Sequence, residues 1–273
     1  MSDVSTVVPE KADIPVVILC GGMGTRIREA SEKLPKPLIE IGGKPILWHI
    51  MKIYAANGFR RFVLPLGYKG DQIRDFFLTY GDQGRDVTVN LASGGSPQWY
   101  GEAQTEDWEV TLVETGIETG TGARIKRVAR YLDQPYFLQT YGDGIGNVDI
   151  GALYAQHVAS GLVSTVTGVH PTSRFGEMHV SGERVTEFNE KPTMADGWVS
   201  GGFFAHKREM VDRYLDDDPD LLLEKKPLQQ LAADGNLGVF THEGFWMGMD
   251  TYRDWTELNG LWDSGDAAWK VWG

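Results

Sequence analysis

Residues 14–26 read IPVVILCGGMGTR, a short apolar run from Ile14 to Cys20 that leads straight into a glycine-rich loop from Gly21 to Arg26. An apolar stretch of this length with no polar residue at alternate positions predicts a strand covered on both faces, as in parallel sheets. The glycines that follow let backbone N–H groups approach a phosphate or a base without hindrance from a Cβ atom. Further along, residues 45–57 place Ile46, Ile50, Ile53 and Tyr54 at helical spacing behind Pro45, with Gly58 in the stop position. Phe62 to Leu66 predicts a second buried strand and Asp71 to Tyr80 an amphipathic helix, so strands and helices alternate in a doubly wound α/β pattern.

The same alternation continues with a strand at Glu109–Val113, a helix around Gly122–Leu132, a strand at Tyr136–Thr140, a helix at Ile150–Ser160 and strands at Val163–Val169 and Gly202–His206. Met178–Val180 and Val185–Phe188 are shorter and turn-bounded, which predicts a small antiparallel insertion. Residues 81–108 are rich in Gly, Ser, Gln and Asp, with one short strand candidate at Val87–Leu91, and read as a long surface excursion of functional or intersubunit use. Five tryptophans near the end of the chain, Trp246, Trp255, Trp262, Trp269 and Trp272, read as packing or interface anchors. The expected organisation is a polar extension over residues 1–13 and one domain over 14–273.

The 273 residues include 38 acidic and 26 basic ones, a net charge of −12 that would repel a nucleic acid backbone. A small anionic substrate is still compatible, because a few convergent cations reverse the potential inside one cleft. Cys20 is the single cysteine, so no internal disulfide forms, and its apolar surroundings mark it as an inert thiol. The first residues carry no cationic start, and Ile14 to Cys20 is too short to span a membrane, so no membrane partner and a cytoplasmic location are expected.

The glycine loop alone does not identify a ligand. A dinucleotide fingerprint starting at Gly22 needs glycine or alanine at position 27, which is Ile27, and Gly42-Gly43-Lys44 is followed by Pro45 where a P-loop needs a hydroxyl. The specific signal is a set of charges beside Gly or Pro in separate parts of the chain. Lys36 lies between Pro35 and Pro37, in a stiffened segment expected to hold it extended as a fixed cation for a triphosphate. Asp143 lies between Gly142 and Gly144 at the carboxyl end of a core strand, the edge where ligands bind in open α/β sheets. Asp250, in Gly248-Met249-Asp250-Thr251, offers a second oxygen ligand of the kind Mg²⁺ takes alongside substrate phosphates. Taken singly, either aspartate is more often an Asx-turn or a helix cap than a ligand. Glu190-Lys191-Pro192 repeats the lysine-before-proline arrangement, and Arg124 opens a helix whose Lys126, Arg127 and Arg130 read as a cationic solvent face.

Together GGMGTR with Lys36-Pro37, IGGKPILWHI, GYKG, TYGDG, RFG, EKP, GGFF and GFWMGMDTYRD, in this order from Val16 to Trp272, resemble the glucose-1-phosphate cytidylyltransferase family. The resemblance implies a Rossmann-like mixed, mainly parallel sheet flanked by helices, Mg²⁺ dependence, and the joining of CTP to α-D-glucose-1-phosphate to give CDP-glucose and pyrophosphate. It implies a nucleotide loop of Leu19, Gly21, Gly22, Met23, Gly24, Thr25 and Arg26, with Arg26 facing phosphate and Lys36 meeting the triphosphate. Gly142 and Asp143 would close the ribose and metal side, and Asp250 would complete the metal site. Lys191, with Ser200 and Gly201 beside it, would hold the sugar phosphate, and Thr119, Thr121 and Arg124 would lie near the nucleotide. A homo-oligomer is also expected.

Three departures stand out: Ser200 replaces the asparagine usual before GGFF, Ala123 replaces a glycine, and residues 92–107 lack the family's more basic character. They leave open another nucleoside triphosphate or another sugar-1-phosphate. A catalytically silent nucleotide-sugar sensor is the rival of a different class, and the joint presence of Lys36, Asp143, Lys191 and Asp250 argues against it.

Overall fold

The computed structural model describes residues 9–22, 34–92, 94–170, 177–181, 184–189 and 197–273. Its centre is a seven-stranded sheet formed by β1 (Pro15–Leu19), β2 (Arg61–Leu66), β3 (Glu109–Glu114), β4 (Tyr136–Tyr141), β5 (Ser164–Val169), β6 (Val199–Lys207) and β7 (Leu237–His242). The order across the sheet is β7-β5-β6-β4-β1-β2-β3. Strand β6 alone runs antiparallel to its neighbours β4 and β5; every other pairing in the sheet is parallel. The sheet is therefore mixed and mainly parallel, as the sequence pattern and the resemblance implied.

The helices are α1 (Ile46–Ala56), α2 (Gly70–Leu78), α3 (Thr121–Arg127), α4 (Ile150–Ser160), α5 (Glu209–Tyr214), α6 (Lys226–Ala233) and α7 (Tyr252–Ser264). β1 shows why its sequence is continuously apolar: all five residues are buried, Val16 and Ile18 packing into one core cluster and Val17 and Leu19 into the other. The first cluster takes α1, α4 and Trp269; the second takes α3, α5 and α6. Each face of the sheet thus has its own helical layer, the arrangement that buries parallel strands.

Several elements differ from the sequence expectation. The excursion at 81–108 is not wholly irregular: Asp86–Thr88 pairs antiparallel with Gln98–Tyr100, and the hairpin leaves Val87, Trp99 and Tyr100 exposed. The helix expected to run to Leu132 gives way after Arg127 to a 3₁₀ turn over Ala129–Tyr131. Lys11–Asp13 forms a 3₁₀ turn inside the stretch read as an extension, with the Lys11 ammonium 5.7 Å from the Phe59 ring centre. The expected antiparallel insertion is present as Glu177–Ser181 paired with Arg184–Asn189.

The topology fixes where a ligand can sit. From β1 the chain winds outward through β2 and β3, then returns to the other side of β1 as β4, paired in register with Leu19 opposite Tyr141. Such a reversal of winding opens a crevice beyond the carboxyl ends of the two strands.

Candidate functional site

At that crevice lies a cleft of about 610 Å³ lined by Leu19–Gly22, Lys36, Pro37, Ile117–Thr121, Arg124, Tyr141–Asp143, Pro219, Asp220, Leu222 and Asp250. Its size lies within the usual range for small-molecule sites.

Two sequence motifs 107 residues apart are joined here by backbone pairing. The residues after Asp143, Gly144–Gly146, form an antiparallel ribbon with Trp246–Gly248, and the Met249 N–H donates to the Asp143 carbonyl at 2.8 Å. Asp250 is fixed by the start of α7, where Thr251 and Asp254 form a capping box. One Asp254 carboxylate oxygen accepts from the N–H groups of both Asp250 and Thr251, at 2.9 and 2.8 Å. The DTYRD motif thus has a local explanation: its second aspartate holds the backbone that carries the first.

The Lys36 ammonium enters between the two carboxylates, 2.7 Å from Asp143 Oδ2 and 2.8 Å from Asp250 Oδ1. Lys36 is not extended as expected; it opens a single 3₁₀ turn, Lys36–Leu38, closed by Leu38 N–H to the Pro35 carbonyl at 2.8 Å. Pro35 stays extended while Pro37 suits the turn's first positions, so the two prolines flank a bend rather than a straight segment. Burial alone would lower the pKa of Lys36, but Asp143 and Asp250 outweigh it and hold the pKa above its ordinary value. Gly142 gives the turn room, since a Cβ there would lie 3.0 Å from the Leu19 carbonyl and 3.2 Å from Pro37.

Both carboxylates converge on one positive nitrogen, and hard oxygen donors in that arrangement fit Mg²⁺, which characteristically uses one or two carboxylates and completes its shell with phosphates and water. Among the described residues no group of three or more His, Cys, Asp or Glu side chains gathers as a metal cage.

Arg124, which the resemblance places near the nucleotide, lines the cleft with its guanidinium turned onto protein carbonyls. It is 4% exposed, and its guanidinium donates to the Leu66 carbonyl and Thr115 Oγ1 through one terminal nitrogen and to the Gly21 and Ile117 carbonyls through the other. Gly21 and Gly67 make room for it: a Cβ at Gly21 would come within 2.2 Å of the Arg124 Cζ atom. Arg124 thus ties the start of the glycine loop to the loop after β2. Burial and the nearby Arg127 lower its pKa. Lys126 and Arg127 are also engaged, with the Val211 carbonyl and with Thr115, Thr119 and Asp217.

The hydroxyls of Thr119 and Thr121 are occupied within the protein. Thr119 donates to the Thr115 carbonyl at 2.6 Å, and Thr121 donates to Glu224 at 2.7 Å while accepting from Leu223 N–H at 2.8 Å. Ser200 accepts from the Gly202 N–H at 3.3 Å, and the Gly201 carbonyl accepts from Trp246 Nε1 at 2.7 Å. Met23, Gly24, Thr25, Arg26 and Lys191 lie outside the described residues. Cys20 is 1% exposed, and burial followed by Asp143 pushes its thiol well above the ordinary pKa, as expected of an inert thiol.

Sequence reading missed the segment at Pro219–Leu222 altogether, although its Pro219, Asp220 and Leu222 form part of the cleft wall. Its alternation, with Leu221 and Leu223 buried and Leu222 facing the cleft, was the available signal.

A switch-point cleft that holds a lysine against two convergent carboxylates defines a phosphate-handling α/β enzyme. The chain belongs to the nucleotidyl transferase family, whose profile matches residues 15–261, and within it to the glucose-1-phosphate cytidylyltransferases. It is 44% identical to the probable glucose-1-phosphate cytidylyltransferase of Bacillus subtilis (strain 168), over 94% of this chain and 99% of that one. It is also 44% identical to the glucose-1-phosphate cytidylyltransferase of Salmonella typhi, over 94% of this chain and 98% of that one. In fold it resembles HddC from Yersinia pseudotuberculosis, with a TM-score of 0.65 and 24% identity, over 91% of this chain and 99% of that one.

Proposed function

We propose that this chain joins CTP and α-D-glucose-1-phosphate into CDP-glucose with release of pyrophosphate. The observation that carries the reading is the convergence of Lys36 with Asp143 and Asp250 at the switch-point cleft. Relatives 44% identical over nearly their whole length, named for this activity, support it.

The sugar phosphate is already anionic near neutral pH, so no general base is needed. One of its oxygens attacks the α-phosphorus of CTP in line; the new P–O bond forms as the bond to the β-phosphate oxygen breaks, and pyrophosphate leaves with its electron pair. Catalysis then rests on positioning and on neutralising charge. Lys36 brings a cation to the triphosphate, and in this reading Arg26 faces the phosphates while Lys191 holds the sugar phosphate. Leu19, Gly21 and Gly22 present backbone to the nucleotide. Asp143 and Asp250 would hold Mg²⁺, which supplies Lewis-acid stabilisation of the charge on the phosphates. The reading includes a cytoplasmic location, where CTP is available, and a homo-oligomer. Among the described residues no helix is long and apolar enough to cross a membrane.

Ser200, whose short side chain turns back on the Gly202 N–H, favours a second reading in which the sugar differs. Pyrophosphate release measured over a panel of nucleoside triphosphates and sugar-1-phosphates tests both. CTP with glucose-1-phosphate is expected to give the highest kcat/KM, abolished by Asp143→Ala without loss of fold. A higher kcat/KM for another pair would overturn the assignment.

A further inference from the structure

The N–H groups of Gly120, Gly122 and Ala123 at the helix head are engaged within the protein. Gly120 donates to the Pro219 carbonyl at 2.7 Å, and Gly122 and Ala123 both donate to the Leu221 carbonyl, at 3.0 and 3.3 Å. A strap of chain, residues 219–224, therefore takes up the donors that an anion would use. The wall it builds is lined by Ile117, Glu118, Pro219, Asp220 and Leu222, and Arg124 beside it spends its terminal nitrogens on carbonyls and Thr115. A wall of apolar groups and two acids repels phosphate and suits a base. The phosphates belong instead with Lys36.

The strap is held at both ends. Leu221 and Leu223 are anchored in the second core cluster, and the chain passes directly into α6. Between these anchors the Glu224 carboxylate accepts one hydroxyl from each flank of the cleft, Tyr141 through Oε1 and Thr121 through Oε2. Tyr141 ends β4 two residues before Asp143, and Thr121 opens α3. A Cβ at Gly120 would meet the Leu221 carbonyl at 2.3 Å, so the turn and the strap are already in contact.

We propose that Glu224 is a positioning residue which, by holding Tyr141 and Thr121 to the 219–224 strap, sets the width of the base-binding wall and selects a pyrimidine over a purine nucleotide. The inference rests on the nucleotide reading above and adds the residue that enforces it. Glu224 touches no reacting atom; it acts through the two hydroxyls.

The test is equilibrium binding of CTP and of GTP to the full chain with Mg²⁺ and without sugar phosphate, so that no turnover is needed. Wild-type protein is expected to bind CTP more tightly than GTP, and Glu224→Ala to lose CTP affinity by about tenfold or more with much less change for GTP. Glu224→Gln keeps an acceptor oxygen and should recover part of the preference. Tyr141→Phe and Thr121→Val each remove one of the two donors and should each give an intermediate ratio, which keeps the test available where Glu224→Ala folds poorly. A lower melting temperature with an unchanged CTP-to-GTP ratio would overturn the inference, as would equal binding of the two nucleotides by wild type. Tight CTP binding with no pyrophosphate release from any sugar phosphate would count against the proposed reaction and leave the strap's role standing on the measured ratio.

Discussion

Lys36 Nζ lies 2.7 Å from Asp143 Oδ2, a contact across 107 residues of sequence made where a 3₁₀ turn meets the end of β4. The same nitrogen holds Asp250, so its removal takes away the ammonium that the two carboxylates share. Lys36→Met is expected to lower kcat by at least about a hundredfold, on the order of 2.7 kcal/mol of transition-state stabilisation. It should also lower the melting temperature, and added Mg²⁺ should raise that temperature more in the variant than in wild type, because a ligand that binds only the folded state stabilises it. A thermal shift series over Mg²⁺ concentration reads the second effect independently of turnover. An equal shift in both proteins would separate Lys36 from the carboxylate pair.

Arg124 gives a different outcome because its role is to bind the protein to itself. Its planar fork makes hydrogen bonds to Gly21, Leu66, Thr115 and Ile117 from a nearly fully buried position. A lysine offers one compact ammonium and cannot reach that set, so Arg124→Lys should cost about 2–4 kcal/mol by leaving buried carbonyls unpaired. Gly21→Ala drives a methyl into the same guanidinium, 2.2 Å from Cζ, and should raise the KM for nucleotide with a similar loss of stability. Chemical denaturation and initial-rate kinetics on the two variants check this; near-wild-type stability for Arg124→Lys would refute the clamp.

The residues of the cleft differ in how far the sequence alone reveals them. Glycine and proline beside charge gave away Lys36, Asp143 and Asp250, because those residue types bend the backbone at strand ends and the fold places strand ends at the ligand edge. β1 and α1 were legible for the same reason that they are buried: β1 is apolar throughout and covered on both faces, and α1 repeats apolar residues at helical spacing on the side it buries. Arg124 was legible as a residue of the cleft through the resemblance, but its partners were not, since the carbonyls that satisfy it are assembled from Gly21, Leu66 and Ile117 only in the folded chain. The Pro219–Glu224 strap was hidden by its local sequence, which reads as an acidic loop; its partners at Gly120–Ala123 lie about a hundred residues earlier, and only the folded chain brings them together. α5, α6 and β7 escaped notice because they are short, six to eight residues each.

His206 and His157 make the stability of the sheet sensitive to mild acid. Both are 0% exposed, with His206 beside Ser164 at 2.8 Å and His157 beside Thr165 at 2.9 Å. Burial, followed by Lys207 for His157 and by His157 for His206, pulls their pKa values down to about 4 and about 3. The unfolded chain takes up protons near the ordinary value of 6.5, while the folded chain does not, so the stability these groups allow is complete above about pH 6.5 and is lost as pH falls toward the folded values. One pH unit below that threshold each histidine costs about 1.4 kcal/mol, or about 2–4 °C in melting temperature for each kcal/mol at this chain size. Melting curves between pH 7 and 5 should show the decline, and His206→Gln should make it shallower while keeping a partner for Ser164. An unchanged slope in that variant would mean that His206 titrates normally in the folded protein.

Trp269 is the largest fully buried side chain, and it sits where the last residues of the chain fold back on α1 and α7. Its ring lies 5.5 Å from Phe245 and 6.4 Å from Trp262, and its indole N–H points to His49 Nδ1 at 3.4 Å. This packing backs α7, whose first turn holds Asp250 through Asp254, so the tail and the carboxylate site share one support. Trp269→Ala should therefore cost about 3–5 kcal/mol, the range for emptying a large buried aromatic site. Trp269→Phe should cost distinctly less, since it keeps most of the ring contacts and removes only the weak indole hydrogen bond. If the support is shared, the alanine variant also needs more Mg²⁺ for half-maximal pyrophosphate release at a temperature where it remains folded, whereas a core residue unconnected to Asp250 would lower stability and leave that requirement where it was.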